Sequence, residues 1–284
     1  RQTRRLARRI NARFCYEIRD LWPMSLADRF KVLYLIAAPV LERFQRYIVK
    51  RSHLVVSNLK GASSYLESIG ANPNAFGYVP NGFDRDLYAR ASVSMPVTYI
   101  NDLKKNGNFI VGYAGSIGLQ NSVDVLVECA ERLKEESIHF VVVGDGEVKD
   151  SLVYLCKKKR LSNVTFVGAV DKSKVYGYIE LFDIGWVGGR SVESHKYGVS
   201  PNKVYDYFGC GVNVLFALAA ETDFGQLNRF VHKPASMAVA DIVQSIVNAR
   251  KTIHSSNKEN IQALLEDIEY SALSQAYLDI LSNK

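Results

Sequence analysis

The chain has few of the residues that staple or metallate a protein. Its four cysteines, Cys15, Cys129, Cys156 and Cys210, are scattered, and no two have the close spacing of a zinc knuckle or a redox pair. Buried free thiols in a reducing cytosol account for them. The five histidines do not gather near the cysteines in any ligand-like spacing, so no structural metal is expected. Long apolar runs are lacking too: the longest, VLYLIAAPVL at 32–41, is too short to span a bilayer and carries Pro39. The Arg-rich start has no apolar core and cleavage site behind it, so no secretory signal is expected there. The first residue is Arg rather than Met, which predicts a further N-terminal segment, missing or processed away. Finally, no GxGxxG opens a helix; residues 112–118 read GYAGSIG, which lowers NAD and FAD as ligands.

What is present is an apolar fraction of 48%, enough for a real core in one large domain or two modest ones. Charge is unevenly placed. Residues 1–60 carry 14 Lys/Arg against four Asp/Glu, a net of +10, while the rest carry 22 against 25. The segment RQTRRLARRINAR at 1–13 contributes six of those arginines, with Leu6 and Ile10 one helical turn apart. A basic half facing anionic lipid is one explanation, and a solvated chain end is the other. No nucleic acid partner is expected, because neither a zinc finger nor an RNA-binding aromatic signature accompanies the arginines.

Further along, strands and helices alternate. FIVGYA at 109–114 reads as a strand, GSIGLQNS at 115–122 as a turn, and VDVLVECAERLKEE as an amphipathic helix. IHFVVV at 138–143 is a strand closed by the GDGE turn at 144–147, before a lysine-rich helix. NVTFVG at 163–168 precedes a helix over about 173–181 with Ser173 as a cap candidate. FDIGWV at 182–187 and VNVLFA at 212–217 flank a helix that starts near Pro201. Strands separated by helices of this length pair in parallel through right-handed crossovers, which predicts a doubly wound α/β domain.

Ligands in such sheets sit beyond the carboxyl ends of the strands. Three segments leave from there: Gly115–Gly118 (with Ser116), Gly144–Gly146, and the stretch leading to Ser200. Glycine in such places lets the backbone approach a pyrophosphate closely, although a glycine after a strand is usually just a turn. A mononucleotide diphosphate suits these loops better than a dinucleotide. The most informative of them, YGVSPNKVYDYFGCGV at 197–212, reads as a helix start built to hold phosphate. Ser200 is the N-cap candidate and Pro201 falls at the first helical position. The helix would then aim free N–H groups and its positive dipole end at an anion. Asn202, Lys203 and Asp206 are spaced to share one face, with Lys203 able to pair with a diphosphate and Asp206 to accept from ribose hydroxyls. An ordinary capped helix with a solvated Lys and Asp is the alternative reading.

At this point the chain resembles a family. The order of YAGSIG (113–118), VVVGDGE (141–147), NVTFVG (163–168), DIGWV (183–187) and SPNKVYDYFGCG (200–211) is similar to the donor half of retaining GT-B glycosyltransferases of family 4. The likeness is greatest to bacterial members that build O-antigen lipopolysaccharide, capsule or exopolysaccharide. YEIRDLWPMSL (16–26) and VPNGFD (79–84) resemble the later part of that family's acceptor domain.

The resemblance implies an α/β, GT-B type fold: a partial acceptor-side Rossmann-like domain over 1–100, a complete nucleotide-sugar domain over 101–260, and a helix over 261–284 returning to the first domain. It implies transfer, with retention, from a nucleotide-diphosphate sugar, with uridine as the base, to a lipid-linked or growing polysaccharide acceptor at the cytoplasmic membrane face. Lys203 and Asp206 become the catalytic candidates, Asp206 standing at the second of two glutamate positions. The first position falls on Gly198, with Glu193 the nearest acid upstream. Gly115, Ser116, Gly118, Gly144, Ser200, Pro201 and Asn202 join them as donor-binding candidates, and the loop after Gly168 is placed at the base. Arg19, Asp20 and Asn81 are weaker acceptor-side candidates. No metal or other cofactor is expected, because Lys203 and the helix terminus would carry the leaving-group charge; the D-x-D of Asp84 and Asp86 reads as loop solvation. Members carry about one further β/α half-domain before RDLWP, so an excerpt of a full enzyme or the larger half of a split one is implied. Two rivals share the architecture: a non-catalytic donor-binding subunit and a nucleotide-sugar epimerase.

Overall fold

Short apolar runs between helices build two parallel sheets. The structure, a computed structural model, describes residues 2–25, 31–91, 98–254 and 256–283; Arg1 of the basic start and Leu26 of YEIRDLWPMSL lie outside them. The first sheet holds β1 (Cys15–Ile18), β2 (Leu54–Ser57) and β3 (Phe76–Tyr78) in that order. The second holds β4 (Phe109–Ala114), β5 (Ile138–Val143), β6 (Val164–Gly168), β7 (Ile184–Gly188), β8 (Asn213–Ala217) and β9 (Val231–His232).

The order of the second sheet is β6-β5-β4-β7-β8-β9, with every pair parallel. It winds outward in both directions from β4, so the chain reverses between β4 and β7, where open α/β sheets form their ligand crevice. Strands β4, β5, β7 and β8 are buried along their whole length, as expected where helices cover both faces of a parallel sheet.

The reversal point has its own prop. Strands β4 and β7 pair only at Val111↔Ile184 and Gly112↔Gly185. Both glycines are required there. A Cβ on Gly112 would lie 2.0 Å from Phe182 Cγ, and one on Gly185 2.4 Å from Tyr207 Cδ2. Beyond that pair the strands part around the Tyr207 hydroxyl, which accepts from the Ala114 N–H (3.1 Å) and donates to the Trp186 carbonyl (3.2 Å). Tyr207 is fully buried, so its phenol wedges the crevice open from below while satisfying both strand ends.

Two helical expectations need correction. The helix expected over about 173–181 runs Lys172–Ile179, and the residue at its N-cap is Asp171 rather than Ser173. The closing segment, expected as one helix from 261, is broken. It comprises Ser256–Gln262, a 3-10 turn Leu265–Ile268, and a final helix Tyr270–Asn283. Phe83 causes the break: its N–H donates to the Ile268 carbonyl (2.8 Å) and its carbonyl accepts from the Tyr270 N–H (3.1 Å). Those groups are then lost to helix continuation, and Glu269 is extended at φ −72, ψ 142. Leu265 and Ile268 stay with the core of the second sheet, whereas the last helix lies on the first sheet, where Leu273 meets Gly82 and Ile280 meets Gly77. Leu278 of that helix is 56% exposed.

Candidate functional site

The helix that follows β7 is Asn202–Gly209, one residue later than its sequence suggests. Pro201, not Ser200, stands at the N-cap with φ −70 and ψ 127, and no side chain caps the first turn. The Ser200 hydroxyl is committed elsewhere: it accepts from the Asn81 N–H (3.3 Å) and bonds the Tyr205 hydroxyl (3.1 Å). The helix start is therefore left to whatever lies before it, with the positive end of its dipole uncapped.

Lys203 projects from this first turn beneath the loop that leaves β4. Its ammonium donates to Asn121 Oδ1 (2.8 Å) and to the Tyr113 hydroxyl (3.4 Å), and lies 4.6 Å from the Tyr113 ring centroid. A Cβ on Gly115 would stand 3.7 Å from the ammonium. The side chain is half-buried, and among the described residues no carboxylate pairs with it. Burial without a counterion pushes its pKa from 10.5 down to about 8. An anion arriving at Gly115 would supply the missing charge.

Asparagine 121 and Tyr113 are site residues that sequence reasoning missed. Asn121 Nδ2 donates to the Ser116 carbonyl (3.0 Å), which the Tyr113 hydroxyl also reaches, and the Asn121 carbonyl accepts from Trp186 Nε1 (3.2 Å). One amide thus fixes both the loop and the lysine. Asn121 is the second-last residue of GSIGLQNS, where a polar residue could have been marked; Tyr113 lies inside an apolar strand and gives no such signal.

Asp206 does not share Lys203's surroundings. It faces the helix Lys172–Ile179, accepting from the Tyr176 hydroxyl (3.2 Å), and burial pushes its pKa up. Lys172, just past the loop that follows Gly168, pulls it back down. Asn202 is exposed and turns to a third direction, the cleft between the sheets. The three residues expected on one face thus serve three walls, because a single helical turn meets three different elements.

The glycines of the β4 and β5 loops interlock. Gly115 N–H donates to Val143 O (3.0 Å), Ile117 N–H to Asp145 O (2.8 Å), and Gly144 N–H to Gly168 O (2.8 Å). Gly144 has φ +143, and a Cβ there would lie 1.9 Å from the Gly115 carbonyl oxygen. Its freedom from a side chain is therefore used up by the neighbouring loop. Gly115 and Ser116 are exposed, and Gly118 is buried at the start of a 3-10 turn.

The cleft between the sheets contains a cavity of about 420 Å³. Arg19, Asp20, Asn58 and Asn81 line it from the ends of β1, β2 and β3; His195, Gly198, Ser200 and Asn202 line it from the segment after β7. Asn58 was not named from the sequence, and no histidine, His195 included, was assigned a role there. Asn81 spans the cleft, donating through its side chain to the Ser200 carbonyl while accepting from Asn58 Nδ2 (3.3 Å). A second cavity of about 470 Å³ shares Arg19, Asn58, Asn81 and Asn202 and is walled by Tyr270 and Tyr277 of the last helix. Arg19 carries an exposed ion pair with Glu17 (2.8 Å). Asp84 accepts the Leu87 N–H (2.8 Å) and so caps the helix Arg85–Ala91. Among the described residues no group of three or more His, Cys, Asp or Glu could hold a metal ion.

Comparison with known proteins finds similarity over part of the sequence and over the whole fold. Residues 99–201 match the family described as glycosyl transferases group 1. WcaI of Escherichia coli strain K12, which carries the name of a colanic acid biosynthesis glycosyl transferase, is 27% identical over 126 residues, 44% of this chain and 30% of its own length. TuaH of Bacillus subtilis strain 168, named for teichuronic acid biosynthesis, is 23% identical over 205 residues, 70% of this chain and 49% of its own length. The chain thus spans less than half of the length of these curated relatives. Among solved structures, HepE of Anabaena in complex with UDP and glucose superposes with a TM-score of 0.67 at 17% identity, over 98% of this chain and 74% of HepE. The fold is of GT-B type, with a complete six-stranded Rossmann-like unit facing a partial, three-stranded one across a cleft.

Proposed function

We propose that this chain, whose residues 99–201 are of group 1 glycosyl transferase type, moves a sugar from a uridine-diphosphate sugar to a lipid-linked or growing glycan, with retention at the anomeric carbon. The observation that carries the reading is Lys203: a half-buried ammonium without a carboxylate, held at an uncapped helix start at the sheet's reversal point. A half-buried cation without a counterion is costly in a protein that binds nothing there, and a diphosphate removes the cost. HepE, of the same fold, is solved with UDP and glucose, which supports a nucleotide sugar as the donor.

In this reading the diphosphate lies between the Gly115–Ser116 loop and Lys203. The ribose hydroxyls donate to Asp206 and the base lies near the loop after Gly168. The anomeric C–O bond breaks as negative charge grows on the departing diphosphate. Lys203 and the helix terminus stabilise that charge, typically the largest catalytic contribution. The acceptor hydroxyl forms the new bond on the same face, and its proton passes to the leaving diphosphate. Arg19, Asp20 and Asn81 border the cavity in which the acceptor would sit, on the cytoplasmic side of the membrane. With Lys203 supplying the positive charge, turnover is expected to proceed without added divalent metal and to survive a chelator.

A second reading, donor binding without turnover, is favoured by Gly198. It stands where the resemblance implies a glutamate, and its φ of +95 would strain any such side chain. Calorimetric titration with UDP, GDP and ADP, on the wild type and Lys203→Met, tests the donor site. Binding of one nucleotide that the variant loses is expected; equal binding by both proteins would sink the assignment. Following radiolabelled sugar from UDP-sugar into a lipid-extractable product then separates transfer from binding alone.

A further inference from the structure

Lys203 is held by a residue that cannot neutralise it. Asn121 ends the 3-10 turn Leu119–Asn121 and touches all three elements that meet at the reversal point. Its carbonyl accepts from Trp186 Nε1 of β7 (3.2 Å), and its Nδ2 donates to the Ser116 carbonyl of the β4 loop (3.0 Å). Its Oδ1 accepts from the Lys203 ammonium of the helix Asn202–Gly209 (2.8 Å). The amide can stand only one way round, because an ammonium only donates and a carbonyl only accepts. Trp186 is fully buried, so the strand anchors the turn and the turn anchors the lysine.

Among the described residues, the other groups around the ammonium leave its charge uncancelled. From β4 comes the Tyr113 hydroxyl (3.4 Å), a phenol that burial keeps neutral by pushing its pKa up. On the lysine's own helix the Tyr207 phenol is raised by burial in the same way, and Asp206 faces Tyr176. The charges on the flanking loops are committed elsewhere. Arg190, after β7, donates to the Leu119 carbonyl and to the Asp124 carboxylate (3.2 Å each), and Glu147, after β5, accepts from the Leu119 N–H (3.4 Å). A neutral acceptor fixes an ammonium in one place and leaves its field to act on what lies beyond. A carboxylate at the same distance would fix it equally well and satisfy it.

We infer that Asn121 is the positioning residue of Lys203: it holds the ammonium beneath Gly115, and its being an amide rather than an acid leaves that charge to a phosphate. The phosphate rests on the nucleotide reading proposed for this site, whereas the hold on the lysine does not. Asn121→Asp separates the two chemistries, since the side chains share one shape and differ in charge.

The test follows the Lys203 Cε resonance, assigned with Lys203→Arg, against pH by carbon NMR in protein without nucleotide. Asn121→Asp should carry the midpoint from about 8 to about 10. Asn121→Ala removes the acceptor and should carry it below that of the wild type. Calorimetry with UDP and with inorganic pyrophosphate reads the consequence. At pH 7 the Asp variant should bind both at least about tenfold more weakly, and its affinity should stay level up to its higher midpoint, where that of the wild type has already fallen. Equal midpoints in wild type and Asn121→Asp would overturn the inference even with binding weakened, because a merely damaged turn does that much. Undiminished pyrophosphate binding by the Asp variant would overturn it too. Should that variant not fold, the downward move in Asn121→Ala decides, and its absence sinks the idea. If the wild type binds neither probe while the midpoints move as expected, the nucleotide reading falls and the hold of Asn121 on Lys203 stands.

Discussion

Two apolar stretches of this chain meet opposite fates. FIVGYA, in β4, is buried at every position between neighbours on both sides. VLYLIAAPVL, no less apolar, turns half of its side chains outward. The six-stranded sheet is closed on itself by interlocked loops and a buried phenol, and it holds one uncompensated cation at its reversal point. The three-stranded sheet instead carries a helix with two apolar sides. Apolar content alone does not choose between core and surface. The number of elements that can reach the stretch does, and a parallel strand is reached from four directions where a surface helix is reached from one.

The most damaging way to break the closed half is Gly144→Ala. Its Cβ would enter the Gly115 carbonyl at a φ of +143, and a loss of about 3 kcal/mol is expected in urea unfolding. Next comes Lys203→Met, expected to reduce nucleotide affinity about 100-fold, roughly 2.7 kcal/mol, in calorimetry. Its folding stability should be unchanged or higher, because a charge without a counterion has been removed from a half-buried place. A variant that loses both would make Lys203 a structural residue.

Titration sharpens the same point. The Lys203 pKa is lowered on folding, so the native state holds fewer protons than the unfolded chain between about 8 and 10.5. Its cost to stability is then fully present below pH 8 and is relieved as pH rises through that window. Nucleotide binding runs the other way, since the diphosphate needs the ammonium. Affinity should fall above pH 8 by roughly tenfold per unit, and Lys203→Arg, always charged, should show no such fall. The smallest effect is expected where the halves meet. Asn81→Ala removes the side-chain bond to Ser200 and should cost about 1 kcal/mol in a calorimetric melt. No change there would mean that the two halves meet without that strut.

Much of the second sheet is legible in the sequence. Continuous apolar runs bounded by glycine turns give β4 and β5 at their observed bounds and β7 within two residues. Strands β1 and β3 are too short and too mixed to announce themselves, as CYEI and FGY are. The helix start at Pro201 is legible to within one residue, but not its cap, because Ser200 is drawn off by Asn81 from 119 positions away. The break at Glu269 is invisible for the same reason: its cause is Phe83.

By itself the sequence determined the alternation that forces parallel, doubly wound sheets, the proline-led helix start, and a lysine and an aspartate upon it. Those are local facts of periodicity and backbone chemistry. Only the tertiary structure decided that Lys203 would be half-buried beneath the β4 loop without a carboxylate, and that Asp206 would turn to Tyr176 instead. It alone decided that the longest apolar run would face outward. Burial and charge pairing depend on what distant elements bring to a residue, and spacing along the chain carries no record of that.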